Sequence, residues 1–247
     1  MNRVVNLSRE GAVAVVAMEE REWKNTFSEP LKHDLIATFA EIAADASLKA
    51  VVIHGYDPYF CCGGTKQELL DILEGRVTFA DLPFYNLLSE CELPVISAMS
   101  GHALGGGLVF GCYADIIVMA EQCMYSTNFM KYGFTPGMGA TFIVPYRLGS
   151  SLGHEMLLTA ENYHGMALKQ RGAPVRVVPK VEVIPLAKKM AQGLAAKPLA
   201  SLKLLKRHMT RHIRAALPAV IQQELAMHDL SFAIPEVRSR IETLFGN

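Results

Sequence analysis

Two glycine-rich segments have the residue types that could hold a developing negative charge. The first spans 60–66 (FCCGGTK) and the second spans 101–108 (GHALGGGL). Each follows an apolar run typical of a buried strand, and the second leads into a helical pattern. Glycine is favoured where the backbone approaches a ligand closely, and the free N–H groups of a helix N-terminus favour negative charge. Both segments are therefore candidates for an anion-binding or oxyanion-binding site.

The spacing of these glycines argues against phosphate binding. Neither segment matches G-x-x-x-x-G-K-[ST], and neither gives G-x-G-x-x-G with a suitably placed acid after it. A packing role remains the alternative, because glycine pairs also occur where a helix packs tightly on a sheet. The presence of two such segments, each after a buried strand, favours a site.

Short apolar runs alternate with helical patterns in the first two thirds of the chain, as expected for an α/β protein with mostly parallel, buried strands. Leu31, Leu35, Phe39 and Ile42 follow Pro30 at helical spacing, so a helix begins near that proline. The remaining predicted elements are the strands Val13–Met18, Ala50–His54, 94–99 and 115–120, and the helices 68–74, 80–89 and 106–113.

The character of the chain changes near residue 183, where helical patterns follow one another without strands. Three prolines, Pro198, Pro218 and Pro235, separate the predicted helices 183–196, 199–214, 219–232 and 236–245. The pattern therefore predicts an α/β core over 1–182 and a helical C-terminal region over 183–247. It leaves open whether that region packs on its own core or on a neighbouring subunit.

Composition excludes several classes of protein. Lys+Arg and Asp+Glu are both 24 in 247 residues, so the net charge of zero offers nothing to attract nucleic acid or an acidic membrane. Apolar runs stop well short of the roughly 18 residues of a membrane span, and the first ten residues lack the apolar run of a secretory signal. The cysteines are odd in number and lack metal-type spacing, which predicts reduced thiols in a cytoplasmic protein without a metal. They are Cys61, Cys62, Cys91, Cys112 and Cys123.

Several motifs together resemble the enoyl-CoA hydratase/isomerase (crotonase) superfamily over nearly the whole chain. They are F-x-x-G-G-T at 60–65, GHALGGGL at 101–108, DIIVMA at 115–120 and YGFTPGMGA at 132–140. The resemblance implies a spiral of repeated ββα units with a helical C-terminal region. It also implies that the N–H groups of Gly64 and Gly106 form an oxyanion hole for a thioester enolate. Such preorganised donors are worth about 3 kcal/mol each.

The side chains that perform hydration elsewhere in this superfamily are missing. Its hydratases use two glutamates, one just after the triple glycine and one before the P-G-x-G turn. The matching positions here are Val109 and Phe129, and neither side chain can transfer a proton. The resemblance therefore argues against ordinary hydration, and against an isomerisation driven by the second glutamate.

A narrower resemblance concerns the segments 125–137 (YSTNFMKYGFTPG) and 224–228 (ELAMH). They are similar to decarboxylating members of polyketide β-branching cassettes, which act on 3-methylglutaconyl groups carried on acyl carrier protein. This implies loss of carbon dioxide through a dienolate, giving a 3-methylcrotonyl thioester or its β,γ isomer. The resemblance marks His228 as the proton donor, and an unperturbed pKa of about 6.5 suits that role. A structural histidine in a helix is the alternative.

Five further positions are candidates for substrate binding. Val109 and Phe129 would give the leaving carboxylate an apolar surround. Lys66, two residues after Gly64, could pair with that carboxylate, although a tight ion pair would hinder its loss. Asn128 and Lys131 flank Phe129 and could line the pocket or simply form a turn.

Some members of the subgroup carry a tyrosine and a lysine one and two helical turns after the first oxyanion glycine. The matching residues here are Glu68 and Ile72. A carboxylate at 68 would repel the substrate carboxylate unless it were protonated or turned away. Recognition of that carboxylate is therefore open.

Two other functions remain. One is an isomerase or unusual hydratase acting on free CoA esters, which needs a carboxylate base, for which Glu68 is the nearest candidate to the first glycine segment. The other is a non-catalytic binding protein that holds acyl carrier protein or a partner subunit. The resemblance implies a homotrimer or a dimer of trimers. It implies no cofactor beyond the phosphopantetheine that carries the substrate on acyl carrier protein or CoA. An acidic carrier could dock on a predicted basic helix face, for which a solvated surface is the alternative. That face comprises Lys203, Lys206, Arg207, Arg211 and Arg214.

Overall fold

The computed structural model describes residues 3–77 and 84–245, and its strands form two sheets. In chain order the strands are β1 (Val5–Glu10), β2 (Val13–Met18), β3 (Ala50–His54), β4 (Tyr59–Cys61), β5 (Val95–Met99), β6 (His102–Leu104), β7 (Ile116–Ala120), β8 (Met124–Ser126), β9 (Tyr163–His164) and β10 (Arg176–Val178). The larger sheet has the order β1-β2-β3-β5-β7-β10 and the smaller β4-β6-β8-β9. In the larger sheet β1 pairs antiparallel with β2 and the other neighbours are parallel.

The helices connect and cover these strands. In chain order they are α1 (Glu29–Ala44), α2 (Lys66–Leu73), α3 (Leu87–Glu90), α4 (Gly106–Cys112), α5 (Ala140–Leu148), α6 (Ser150–Thr159), α7 (Gly165–Gln170), α8 (Lys180–Ala195), α9 (Leu199–Phe232) and α10 (Pro235–Leu244). Side chains cap the first two helices: Ser28 accepts from the Leu31 N–H, and Thr65 from the Glu68 N–H. A 3₁₀ turn spans Met130–Tyr132.

The chain forms a spiral of repeated ββα units. β3 lies in the larger sheet, β4 in the smaller, and α2 follows; β5, β6 and α4 repeat this order. Every residue of β5 is buried because both faces of the central strands are covered. The predicted α/β class, the ββα spiral and the four predicted strands are confirmed, with end shifts of at most one residue.

The C-terminal region differs from its prediction at two places. Pro218 lies inside α9, so the predicted break between two helices is wrong. A proline removes one helical hydrogen bond and crowds the preceding turn, but Leu217 and Ile221 on either side of it are buried, and their packing holds the helix together. The predicted boundary at 182/183 lies inside α8, which begins at Lys180 and packs on β3, β5 and β7.

Part of one predicted helix, 80–89, lies outside the described residues. Of that segment the structure describes 84–89, in which only the final residues are helical, at the start of α3. The connection from the first glycine segment to β5 is therefore described only at its two ends.

Lys206, in the predicted basic face on α9, anchors that helix to the core, whereas Arg207 and Arg211 of the same face are exposed. The Lys206 side chain is 4% exposed, and its Nζ lies 2.7 Å from Asp115 Oδ2. It also donates to the carbonyls of Leu88 and Leu93, at 3.0 and 2.8 Å. The expectation that Lys206 docks a carrier protein is wrong, because its charge is buried and already paired. Beside it, Lys203 and Arg207 pair with Glu92, and Arg214 pairs with Glu90.

Candidate active site

The smaller sheet brings the two glycine segments together. β4 and β6 are parallel neighbours, with Tyr59 opposite His102 and Cys61 opposite Ala103. Beyond these strands the two loops touch: a Cβ on Gly63 would lie 2.9 Å from the Gly106 nitrogen. Two segments that are distant in the sequence therefore form one structure.

The predicted oxyanion donors flank this contact. Gly106 is the first residue of α4, and Gly64 directly precedes Thr65, the N-cap of α2. N–H groups at the start of a helix have no partner within that helix. The structure thus places Gly64 and Gly106 in two touching loops, each at the start of a helix. An oxyanion hole formed by their N–H groups stays a prediction.

Apolar side chains surround this point. A Cβ on Gly106 would lie 2.8 Å from Phe27 Cε2 and 3.0 Å from Met138 Sδ. Phe27 is held in place because its N–H donates to the carbonyl of Gly63 over 2.7 Å. Val109 and Phe129, where hydratases have glutamates, are buried as well. The surroundings of the glycines therefore provide no carboxylate from these two positions.

Asn25 fixes the conformation of the segment that carries Phe27 through side-chain hydrogen bonds. This fully buried residue adopts a left-handed conformation, with φ of 52°. Its side chain accepts from the Glu20 N–H and donates to the carbonyls of Met18 and Phe60, at 2.8, 3.0 and 3.0 Å. Sequence reasoning assigned no role to Asn25, although an amide side chain between a predicted strand and helix is a signal for such a turn.

Glu224 on α9 fixes the loop that carries Met138. Its buried carboxylate accepts from the Gly139 N–H at 2.7 Å, the Thr141 N–H at 2.9 Å and the Thr141 hydroxyl at 2.6 Å. Tyr113 donates from its hydroxyl to the Met138 carbonyl over 2.6 Å. Burial raises the pKa of Glu224, and these donors oppose that rise. Sequence reasoning treated Glu224 only as part of a family motif, because its partners lie far away in the sequence.

His228 lies one helical turn further along α9, where its side chain is buried. Its Nε2 lies 2.9 Å from the Thr135 carbonyl oxygen and 3.1 Å from that of Pro136. Because carbonyl oxygens only accept, Nε2 carries a hydrogen, and Nδ1 is the atom that gains or loses the titrating proton. Burial lowers the pKa of His228, although the two carbonyl oxygens oppose this.

The imidazole borders a cavity of about 280 Å³ between α2 and α9. Ile72 and Leu73 of α2 line one side, while Leu225 and Phe232 accompany His228 on the other. Ile72 and Leu73 are the last residues of α2, so this cavity lies at the opposite end of α2 from Gly64, and Asp229 also lines it.

The other predicted substrate-binding residues lie in different places relative to the glycine loops. Asn128 lies at the site, because its Oδ1 would be 2.5 Å from a Cβ on Gly105, the residue before Gly106. Lys66 points away: its Nζ donates to the Glu242 carbonyl on α10 over 2.7 Å. The structure therefore does not bring Lys66 to a substrate carboxylate, and its contact joins α2 to α10.

Lys131 lies in the 3₁₀ turn, where α10 packs against it. Its ammonium lies 5.8 Å from the centre of the Tyr132 ring. Its carbonyl accepts from Arg240 Nη1 over 3.3 Å. These contacts place Lys131 at the junction with α10.

Glu68 and Lys32 form an ion pair next to the first oxyanion glycine. Lys32 Nζ lies 3.1 Å from Glu68 Oε1, and the two side chains are 13% and 11% exposed. Glu68 Oε2 would be 3.2 Å from a Cβ on Gly64. Burial raises the pKa of Glu68, and the Lys32 ammonium opposes this. Sequence reasoning missed Lys32, because nothing in its position in the sequence connects it to residue 68.

The described residues contain neither a metal-type cluster nor a membrane-spanning helix. Among residues 3–77 and 84–245, no group of three or more His, Cys, Asp or Glu side chains could hold a metal ion. Across the same ranges, no helix is both long and apolar enough to cross a bilayer.

Comparisons with known proteins agree with this geometry. The family model for enoyl-CoA hydratase/isomerase matches residues 8–243. Bacillaene synthase decarboxylase PksI of Bacillus subtilis (strain 168) is 50% identical over 238 residues, which cover 96% of each chain. A solved structure from a dehydratase/decarboxylase enzyme couple involved in polyketide β-branching superposes with a TM-score of 0.97 at 50% identity, over 99% of this chain and 100% of that one.

A second solved structure is similar at lower identity. The ECH2 decarboxylase domain of CurF from Lyngbya majuscula has a TM-score of 0.95 at 39% identity, over 99% of this chain and 100% of that one. These matches extend from the glycine loops to the helical C-terminal region. With its ββα spiral and paired glycine loops, the chain belongs to the enoyl-CoA hydratase/isomerase family.

Proposed function

We propose that this chain removes carbon dioxide from a 3-methylglutaconyl thioester carried on acyl carrier protein. It acts as a decarboxylase in polyketide β-branching. The observation that carries the proposal is the contact between the two loops that carry Gly64 and Gly106, together with buried Val109 and Phe129 in place of acids. Such a site stabilises an enolate, but these two positions offer no base to form one by removing a proton.

Decarboxylation generates the enolate without a base. The thioester oxygen accepts hydrogen bonds from the N–H groups of Gly64 and Gly106. The bond between the γ carbon and the carboxylate breaks, and its electron pair moves through the enoyl double bond to the thioester oxygen. Carbon dioxide leaves, and the resulting dienolate is stabilised by the two donors.

The dienolate then takes one proton, which we assign to His228. Nε2 is held by the carbonyls of Thr135 and Pro136, so Nδ1 of the imidazolium delivers the proton and water later restores it. Protonation at the γ carbon gives the 3-methylcrotonyl thioester, and protonation at the α carbon gives the β,γ isomer. The apolar wall of Phe27 and Met138 also disfavours the charged carboxylate of the substrate more than the neutral carbon dioxide.

The relatives support the decarboxylase reaction. That the substrate is carried on the phosphopantetheine of acyl carrier protein is a further part of our proposal. We further infer a homotrimer or a dimer of trimers, from the family to which the chain belongs. Light scattering of the purified protein measures that state directly; a monomer would contradict it.

Mass spectrometry of 3-methylglutaconyl-carrier protein tests the reaction, using the wild type, His228→Ala and the matched control His208→Ala. His208 is exposed on the same helix. We expect the carrier-bound substrate to lose the mass of carbon dioxide when it is incubated with wild type or His208→Ala. With His228→Ala, little of the substrate should lose this mass. Equal loss by His228→Ala would refute the assigned proton donor.

The same experiment separates the competing functions. Hydrated or isomerised CoA esters without decarboxylation would refute the proposal and favour an isomerase or hydratase that uses Glu68. Binding of the carrier-bound thioester without any turnover would refute it in favour of a binding protein. A free pantetheine thioester, assayed in parallel, measures how much the carrier protein itself contributes to KM.

A further inference from the structure

Glu68 brings a carboxylate to the first oxyanion glycine. Its Oε2 would lie 3.2 Å from a Cβ on Gly64, and its side chain is 11% exposed. During decarboxylation negative charge develops on the thioester oxygen at the Gly64 N–H. Two like charges at the same glycine, in a place with little exposure to solvent, repel each other. An unpaired Glu68 carboxylate would therefore oppose the reaction.

The start of α2 explains why a glutamate stands there. Thr65 is the N-cap, and its hydroxyl accepts from the Glu68 N–H over 3.1 Å. Thr65 and Glu68 have the T-x-x-E spacing of a capping box, in which the glutamate side chain turns back toward the beginning of the helix. The beginning of α2 is the glycine loop, so the helix start itself directs this carboxylate toward Gly64.

Lys32 compensates the charge from another helix. Its Nζ on α1 lies 3.1 Å from Glu68 Oε1, and its side chain is 13% exposed. The same ammonium pairs with the exposed Glu29 at 2.5 Å. Burial lowers the pKa of Lys32, but the two carboxylates outweigh this and the pKa lies above its usual value. Lys32 is therefore a permanent cation next to Glu68.

We propose that Lys32 is a positioning residue of the decarboxylase, which holds the Glu68 carboxylate in an ion pair so that its charge does not oppose the dienolate at Gly64. The proposal rests on the proposed function, because it requires an anion to form at this glycine. It also gives this chain its own arrangement at the position where some subgroup members carry tyrosine.

Other charged groups near α2 are engaged elsewhere. Glu29, on α1 like Lys32, adds a second negative charge near the Glu68 carboxylate. Lys32 therefore compensates two carboxylates. Lys66 on α2 donates to the backbone carbonyl of Glu242. The other charged side chains along α2, its C-terminal end and the facing α10 form pairs among themselves. These pairs are Asp71 and Glu74 with Arg76, Glu74 and Glu242 with Arg238, and Glu236 with Arg240.

The test is a double-mutant cycle assayed on 3-methylglutaconyl-carrier protein: Lys32→Met, Glu68→Gln and both together. Glutamine keeps the shape of Glu68 and removes its charge. We expect Lys32→Met to lower kcat at least about tenfold, which corresponds to roughly 1.4 kcal/mol on the barrier, with little change in KM. We expect Glu68→Gln and the double variant to stay within about threefold of wild type. A salt bridge needed only for folding would make all three variants similarly impaired.

The pH dependence provides an independent readout. Without Lys32 the pKa of Glu68 rises further, so the carboxyl is neutral at low pH and charged at high pH. The ratio of Lys32→Met activity to wild-type activity should therefore fall as the pH rises, and the double variant should show no such trend.

Lys169→Met is the matched control. Lys169 pairs with Glu121 at 2.6 Å, and the Glu121 side chain is also 11% exposed, but this pair lies between β7 and α7. We expect this variant to retain wild-type kcat. Melting temperatures are measured for every variant, and Lys32→Gln replaces Lys32→Met in the cycle if the latter does not fold.

Three results would overturn the proposal: a double variant no more active than Lys32→Met, an activity ratio that does not change with pH, or a Lys169→Met variant as impaired as Lys32→Met. Failure of the proposed function gives a different result, because the wild type itself would then release no carbon dioxide.

Discussion

Gly63 and Gly106 lie so close that a Cβ on Gly63 would be 2.9 Å from the Gly106 nitrogen. Gly63 also has a φ of 78°, in the left-handed region that favours glycine. This contact joins two loops from different ββα units. We therefore expect it to set the separation of the N–H groups of Gly64 and Gly106, and with it the geometry of the proposed oxyanion hole.

Gly63→Ala should consequently disable the site. The added methyl group meets backbone atoms, so the loops must move apart and one donor is lost. Loss of one donor lowers kcat by about 10²-fold or more, measured on the carrier-bound thioester. Gly193→Ala is the control, because Gly193 is exposed in α8 with no atom within 4 Å of its Cβ position; it should stabilise the protein by up to about 1 kcal/mol. Wild-type activity in Gly63→Ala would contradict the geometry.

The activity should fall with rising pH, because His228 must be protonated to donate. Burial lowers the pKa of His228 from its usual 6.5, so the decline in kcat/KM of the free enzyme should centre below that value. Steady-state assays across the range about pH 5 to 8 measure it. The residual activity of His228→Ala should lack this limb; an unchanged profile in that variant would assign the titration to another group.

The same pKa shift affects stability with a defined sign. Unfolded His228 titrates near 6.5 and the folded protein binds that proton less readily, so the unfolded state binds more protons between the two pKa values. The stabilisation from His228 is therefore fully present above pH 6.5 and is lost as the pH falls toward the folded pKa. Urea unfolding of His228→Gln should show a smaller loss of stability on acidification than wild type. An equal or greater loss would contradict the direction of the shift.

Glu224→Ala should affect both stability and catalysis. The substitution leaves the buried N–H groups of Gly139 and Thr141 without their acceptor, at a cost of about 1–3 kcal/mol for each donor. Met138 would lose its fixed position against Gly106, so kcat should fall by about tenfold or more. Urea unfolding and steady-state kinetics measure the two effects.

Glu236→Ala is the control for that experiment. Glu236 pairs with Arg240 on α10, and its side chain is 64% exposed. Its loss should change stability by no more than about 1 kcal/mol. Equal effects of the two substitutions would mean that the loop does not depend on Glu224.

Lys206→Met should be strongly destabilising, although the lysine lies in a basic run. It leaves the Asp115 carboxylate buried without its ion-pair partner, and breaking such a pair costs about 3–5 kcal/mol. Lys203→Met, which removes a solvent-facing pair with Glu92, should cost less than about 1 kcal/mol. Chemical denaturation measures both; similar values would show that the Lys206 pair is not buried in solution.

Local patterns identified the elements that depend on local chemistry. The β-branched run of β2 and the helical spacing in α1 are visible in the sequence, and both elements form as predicted. The break predicted at Pro218 is wrong because local preference favours it, whereas the burial of Leu217 and Ile221 keeps α9 continuous. Packing outweighs propensity where a helix has a large buried face.

Charged side chains were the least predictable part of the site. Lys66 is next to the glycine loop in sequence but donates to Glu242, and Lys206 lies in a basic run but is buried. Lys32, which had no signal in the sequence, pairs with Glu68 at the oxyanion glycine. A long side chain reaches partners several ångströms away, so its role depends on which elements pack beside it.

The sequence by itself determined β2, β3, β5 and β7, the two glycine segments at strand ends and the replacement of both acids by Val109 and Phe129, because these features depend on residue type and local spacing. Only the tertiary structure decided that Gly63 touches Gly106, that Glu224 anchors the Met138 loop and that Lys32 pairs with Glu68. Each of these contacts joins residues that are far apart in the sequence and come together only when the chain folds. They depend on the packing of the whole spiral, which no local pattern encodes.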